Sequence, residues 1–133
     1  MVTLGGCGID IVDVGRIDRL LQRHGQAFIN RWFAPSEIAF CAEVRTPATR
    51  FAACLAAKEA AMKVLHLDGR GRIPWRQIEI GGWLTTPAEV RLRGESAEAA
   101  TRLGIGRILV AVSSDDRLAT AVAFGEICEP AGV

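Results

Sequence analysis

The chain has 133 residues, 50% of them hydrophobic and 23% charged, enough for one hydrophobic core and too few for two ordinary domains. Its formal net charge of +1 supplies no overall field to draw in nucleic acid or a membrane surface, so a charged partner has to be met by a local patch. Cys7, Cys41, Cys54 and Cys128 are scattered, with no C-x-x-C pair, no zinc-ligand spacing and no signal-peptide pattern upstream, which leads us to expect four reduced thiols in a cytoplasmic protein.

Residues 2–14, "VTLGGCGIDIVDV", place β-branched side chains in near alternation around glycines, the pattern of an opening strand with close backbone approach at Gly5, Gly6 and Gly8. The period then changes. Ile17, Leu20 and Leu21 recur at helical spacing and Gly25 supplies a stop; a short helix is expected over 28–32 and another, opened by Pro35-Ser36, over 37–44. The longest helix is expected after Thr46 as cap and Pro47 as first residue, ending before Gly69, with Phe51, Leu55, Met62 and Leu65 on one face and Glu59 and Lys63 along its edge. Beyond a Gly/Arg loop, "WRQIEI" and "EVRLR" alternate as strands, and "SAEAATRLG" reads as a helix stopped by Gly104. "RILVAVSS" and "LATAVAFGEI" are strands joined by Asp115-Asp116-Arg117, and 129–133 form a frayed tail. The main elements run β-α-α-α-β-β-α-β-β, which argues for a single α+β domain with a mostly antiparallel sheet.

Asp10 interrupts the apolar run "GIDIV". A carboxylate facing a core costs several kcal/mol, on the order of 3–5, unless it is paired or binds a metal; alternation puts it opposite Ile9 and Ile11, so a solvent-facing side is equally open to it. Alone, Asp10 reads as a surface or capping acid and Glu59 as the ion-pair partner of Lys63. Converging from a strand and a long helix, the two carboxylates could hold Mg²⁺, which takes oxygen ligands and bridges to substrate phosphates. A lysine one turn beyond Glu59 could then neutralise charge on a transferring phosphoryl group or protonate the departing one.

"GIDIVDVGRI" (8–17) and "LAAKEAAMK" (55–63) resemble the first and second motifs of the 4'-phosphopantetheinyl transferases, and the closing "VAVSS…LATAVAF" hairpin extends the likeness to the small holo-[acyl-carrier-protein] synthase class. The resemblance covers residues 3–127. It implies that fold, one long helix and shorter helices packed on a mostly antiparallel sheet, and transfer of 4'-phosphopantetheine from coenzyme A to a carrier-protein serine with release of adenosine 3',5'-bisphosphate. By the same likeness Asp10 and Glu59 are the Mg²⁺ ligands, Lys63 acts with Glu59 in catalysis, and Glu59 is the candidate base. Arg50, Lys58, His66 and Ser114 fall on the coenzyme A side, and the family is typically homotrimeric. Arg16, Arg19 and Arg23 share one face of the first helix beside Ile17, Leu20 and Leu21, a surface suited to an acidic acyl-carrier protein, with no call for nucleic acid or membrane.

The departures from the family pattern cluster in donor recognition. Cys54 replaces an arginine, Leu55 an aromatic residue, His66-Leu67-Asp68 a Gly-Thr-Gly loop, Thr85-Thr86-Pro87 a Gly-Lys-Pro turn, and Ser114 a histidine or aspartate. Arg45, Arg50, Arg70 or Arg72 could supply phosphate charge instead. Cys54, among alanines, reads as a buried inert thiol rather than a nucleophile. The alternative to an enzyme is a diverged, non-catalytic relative that binds a carrier protein.

Overall fold

The first strand feeds the first helix with no intervening loop. β1 (Leu4–Asp13) ends on Asp13, whose carboxylate accepts a 2.8 Å hydrogen bond from the Arg16 N–H and so caps α1 (Val14–His24). The computed structural model describes residues 1–67, 74–82 and 87–129. Gly25, at φ 49°, turns the chain from α1 into α2 (Gln26–Trp32), and Pro35 starts α3 (Pro35–Ala42). α4 (Ala48–Val64) follows. Thr46 does not cap it: Pro47 is already in the helical region and its carbonyl accepts from the Phe51 N–H at 3.0 Å, so the first turn closes on backbone alone.

A 3₁₀ turn (Trp75–Gln77) leads into β2 (Ile78–Gly81), which pairs with β3 (Ala88–Leu92); α5 (Gly94–Leu103) then stops at Gly104 with φ 70° and hands over to β4 (Ile105–Ser114) and β5 (Leu118–Ile127). Two expectations are corrected. The element order is short by one: four helices, not three, separate the first two strands, because the short helix expected over 28–32 is present as 26–32 and counts beside the others. Only the second half of "WRQIEI" is strand, since Gln77 N–H bonds back to the Pro74 carbonyl at 2.9 Å and winds the first half. Asp68, Gly69, Arg70, Arg72, Thr85, Thr86 and the end of the tail, 130–133, lie outside the described residues.

The sheet has the order β1-β5-β4-β3-β2, every neighbouring pair antiparallel. α4 lies across one face and is buried almost all round, by the sheet below and by α1 and α3 beside it. Ile17, Phe33, Phe51, Ile78, Ile108 and Val110 fill the core, and Phe33 meets Phe51 with ring centroids 4.9 Å apart. The opposite face of the sheet carries apolar side chains into solvent: Ile9 is 69% exposed, Ile11 60% and Phe124 39%. Strand alternation therefore resolves the position of Asp10: its apolar neighbours point outward and the carboxylate points in, toward α4. Among the described residues no helix is long and apolar enough to cross a membrane.

Candidate active site

Asp10 faces the helix because β1 and α4 approach unusually closely beside it. At Gly8 a methyl group would sit 2.2 Å from the Ala60 carbonyl oxygen and 2.9 Å from Lys63 Cβ, so only glycine permits this contact. Across the sheet Asp10 pairs with Ala121, whose small side chain leaves the space above the strand to α4. The strand thus delivers one carboxylate and the helix another, Glu59, to the same cleft.

Lys63 bridges the two elements. Its ammonium donates to the Ile9 carbonyl at 2.6 Å and lies 3.2 Å from Asp10 Oδ1. The pairing with Glu59 that suits each residue taken alone gives way to the convergent arrangement: the Lys63 side chain reaches across to the strand, where a backbone carbonyl and a carboxylate together satisfy it. The Asp10 side chain is 15% exposed, and its Oδ2 is buried without a hydrogen-bond partner. An orphaned carboxylate oxygen in a native site calls for an explanation such as an ion. Half-buried Glu59 has its pKa pushed up to about 8, first by burial and then by its contact with the Asp10 carboxylate and that group's charge, against the opposing pull of Lys63 and Arg16. Two acids that meet between strand and helix, one with a buried oxygen lacking a partner, fit a divalent cation that needs one or two carboxylates and takes its other ligands from water and phosphate. Among the described residues no three His, Cys, Asp or Glu side chains gather into a metal cluster.

A model of the 4'-phosphopantetheinyl transferase superfamily matches residues 6–123, a span that contains Asp10, Glu59 and Lys63. The chain belongs to that superfamily. It is 39% identical to a holo-[acyl-carrier-protein] synthase of Koribacter versatilis over 116 residues, 87% of this chain and 93% of the relative. A second relative of the same name, from Moorella thermoacetica, is 39% identical over 90% of this chain and 91% of its own. Among solved structures, holo-[acyl-carrier-protein] synthase from Neisseria meningitidis superposes with a TM-score of 0.79 at 31% identity, covering 93% of this chain and 99% of that one. The Helicobacter pylori enzyme in complex with coenzyme A gives 0.75 at 29% identity, over 90% and 99%.

The other expected site residues of this transferase-family chain divide by placement. Arg16, Arg19 and Arg23 are exposed on α1, and Arg16 is near enough for its charge to act on Glu59. Exposed His66 follows α4 at φ 57°, in the left-handed position where a glycine usually ends a helix. Its N–H bonds to the Lys63 carbonyl at 3.3 Å, while Leu67 N–H bonds to Met62 at 2.9 Å. Ser114 is exposed at the end of β4. Arg50 lies over the Phe40 ring and donates to the Phe40 carbonyl at 2.7 Å, with Glu43 at 3.5 Å.

Lys58 is the correction. The resemblance puts it on the coenzyme A side of the helix edge, whereas it is fully buried, with its ammonium 2.5 Å from Glu37 and 2.6 Å from the Ile78 carbonyl. One residue, about 100° of helical rotation, separates it from Glu59 and turns it inward. Glu37, its partner, is a functional candidate that sequence reading passed over as one helical residue among eight. Cys54 is buried as expected, its thiol pKa raised by burial, then by Cys41 and by the charge of Glu37.

Proposed function

We propose that this chain is a holo-[acyl-carrier-protein] synthase, which transfers 4'-phosphopantetheine from coenzyme A to a serine of an apo-acyl-carrier protein and releases adenosine 3',5'-bisphosphate. The observation that carries this reading is the convergence of Asp10, Glu59 and Lys63 between β1 and α4 in a chain of this superfamily.

Asp10, through its unpartnered oxygen, and Glu59 would hold Mg²⁺, which when bound neutralises diphosphate oxygens of the donor. Glu59 is the candidate base for the serine hydroxyl proton, taking it through an intervening water once the cation's charge has made it a carboxylate. The serine oxygen forms its bond to the phosphorus that carries the pantetheine arm, and the bond from that phosphorus to the departing nucleotide oxygen breaks. Lys63 meets the charge gathering on that leaving oxygen; its tie to the Ile9 carbonyl holds the ammonium in place without surrendering its charge. Exposed His66 and Ser114, with Arg50 ahead of the second motif, are the proposed donor contacts. Lys58 is withdrawn from that set by its burial.

Arg16, Arg19 and Arg23 form the proposed docking row for an acidic carrier, and its nearest member, Arg16, borders the acids. The bare apolar face around Ile9, Ile11 and Phe124 supports self-association as a homotrimer. The test is intact mass spectrometry of several apo-carrier proteins incubated with the chain, coenzyme A and Mg²⁺, with chelator and Glu59→Ala controls. A metal-dependent gain of one phosphopantetheine is expected. Carrier binding without modification on any carrier overturns the enzyme reading in favour of a docking protein.

A further inference from the structure

An ion pair with both side chains fully buried is an unusual occupant of a small core, because well-packed apolar residues often do as well or better for stability. Lys58 and Glu37 form such a pair. Every acceptor direction of the Glu37 carboxylate is used: Oε1 accepts from Lys58 and from the Ala34 N–H at 2.7 Å, while Oε2 accepts from the Ile80 N–H at 3.0 Å and the Cys54 thiol at 3.3 Å. Lys58 in turn reaches the Ile78 carbonyl at 2.6 Å and lies 5.9 Å from the Phe33 ring centroid. One carboxylate therefore ties α3, α4 and the edge strand β2 together.

The composition of α4 gives this network a task. Between Leu55 and Met62 the helix presents Ala56, Ala57, Ala60 and Ala61 to its surroundings, and its only long side chains are Lys58 and Glu59. Methyl groups pack well but offer little shape to resist a small slide or rotation, whereas a charge-assisted hydrogen bond has a narrow geometry. The segment lacking apolar knobs is the one that carries Glu59 to Asp10.

We propose that Glu37 and Lys58 are positioning residues: the buried pair fixes the rotation and axial register of α4, and so the placement of Glu59 against Asp10. The kinetic part of this inference rests on the transferase reading; the register itself does not.

The test compares Glu37→Leu/Lys58→Met, which replaces the pair by apolar groups of similar size, and Lys58→Met alone, which leaves Glu37 its backbone donors. For each full-length variant, folding is followed by circular dichroism, Mn²⁺ binding by electron paramagnetic resonance with the metal alone, and carrier modification by kcat and KM. We expect folded variants whose Mn²⁺ affinity and kcat both fall by about tenfold or more, as for lost supporting contacts around metal ligands, while KM for the carrier stays near wild type. Folded variants with wild-type Mn²⁺ affinity and kcat overturn the proposal. Failure of both to fold also overturns it, since the pair would then hold the whole fold rather than one helix's register. Wild-type protein that binds Mn²⁺ but modifies no carrier removes the transferase reading instead, and the Mn²⁺ comparison still decides the register.

Discussion

Gly8→Ala is the smallest change that should pull the two site acids apart. The added methyl would fall 2.2 Å from the Ala60 carbonyl oxygen, where ordinary contact begins at 3.4 Å, and 2.9 Å from Lys63 Cβ. Both obstacles are fixed: one is helix backbone and the other is the root of a side chain. β1 and α4 must therefore separate by about 1 Å, an overpacking that costs roughly 1–3 kcal/mol of stability. The functional loss should be larger in proportion, since a displacement of about 1 Å in a reacting constellation costs on the order of a hundredfold in rate. The assay is single-turnover carrier modification alongside thermal unfolding and Mn²⁺ titration of the same preparation. A folded Gly8→Ala protein with wild-type rate and Mn²⁺ affinity would refute the claim that this close approach builds the site.

Three further outcomes are expected. Because Glu59 has its pKa raised from 4.5 to about 8, the native protein binds that proton more tightly than the unfolded chain does, so its contribution is complete below pH 4.5 and is lost as pH rises through about 8. Metal-free protein should lose on the order of 1 kcal/mol in urea unfolding between about pH 6 and 8, roughly half of the ~2.3 kcal/mol that a fully buried group with these pKa values would give, because Glu59 is part-exposed, and Glu59→Gln should flatten that slope; an equal slope in both proteins rejects the assignment. His66→Gly should raise stability by about 0.5 kcal/mol, as relief of left-handed strain of roughly 1–2 kcal/mol outweighs the extra chain entropy of glycine, and should raise KM for coenzyme A. A lower melting temperature would contradict the strain argument. Arg16→Ala/Arg23→Ala should weaken carrier binding by about tenfold at low salt and reduce its salt dependence; unchanged affinity at low ionic strength removes α1 as the docking face.

Elements whose signals are local were legible in the sequence. Gly25 and Gly104 stop their helices with the positive φ expected of them, and Asp115 makes the final hairpin by accepting from the N–H groups of Arg117 and Leu118, both at 2.8 Å. Gly8 was readable as a close approach, though not what it approaches. The misreadings share a cause, partners distant in sequence. Lys58 looks like an exposed helix-edge cation until Glu37, 21 residues earlier, and the Ile78 carbonyl, 20 residues later, enclose it. The alanine run around it is the sign in the sequence that this helix is buried almost all round. Taken alone, Lys63 suits its helical neighbour, because the acceptors that hold it, Ile9 and Asp10, lie more than 50 residues away. Ile9 and Ile11 would ordinarily be assigned to a core; their outward placement follows from Asp10 taking the helix-facing side.

The loopless joint at Asp13, where β1 becomes α1, has a consequence for partner choice. Asp10 and the arginine row sit on consecutive elements locked by a side-chain cap, with no hinge between them. On the docking reading, the chain then works as a fixed gauge: a carrier seated on α1 reaches the acids only if the distance from its acidic surface to its serine matches the span from Arg23 to Asp10. Selection among carriers would thus be made by length as well as by charge, and a carrier of the right charge with its serine one helical turn out of place would dock without being modified.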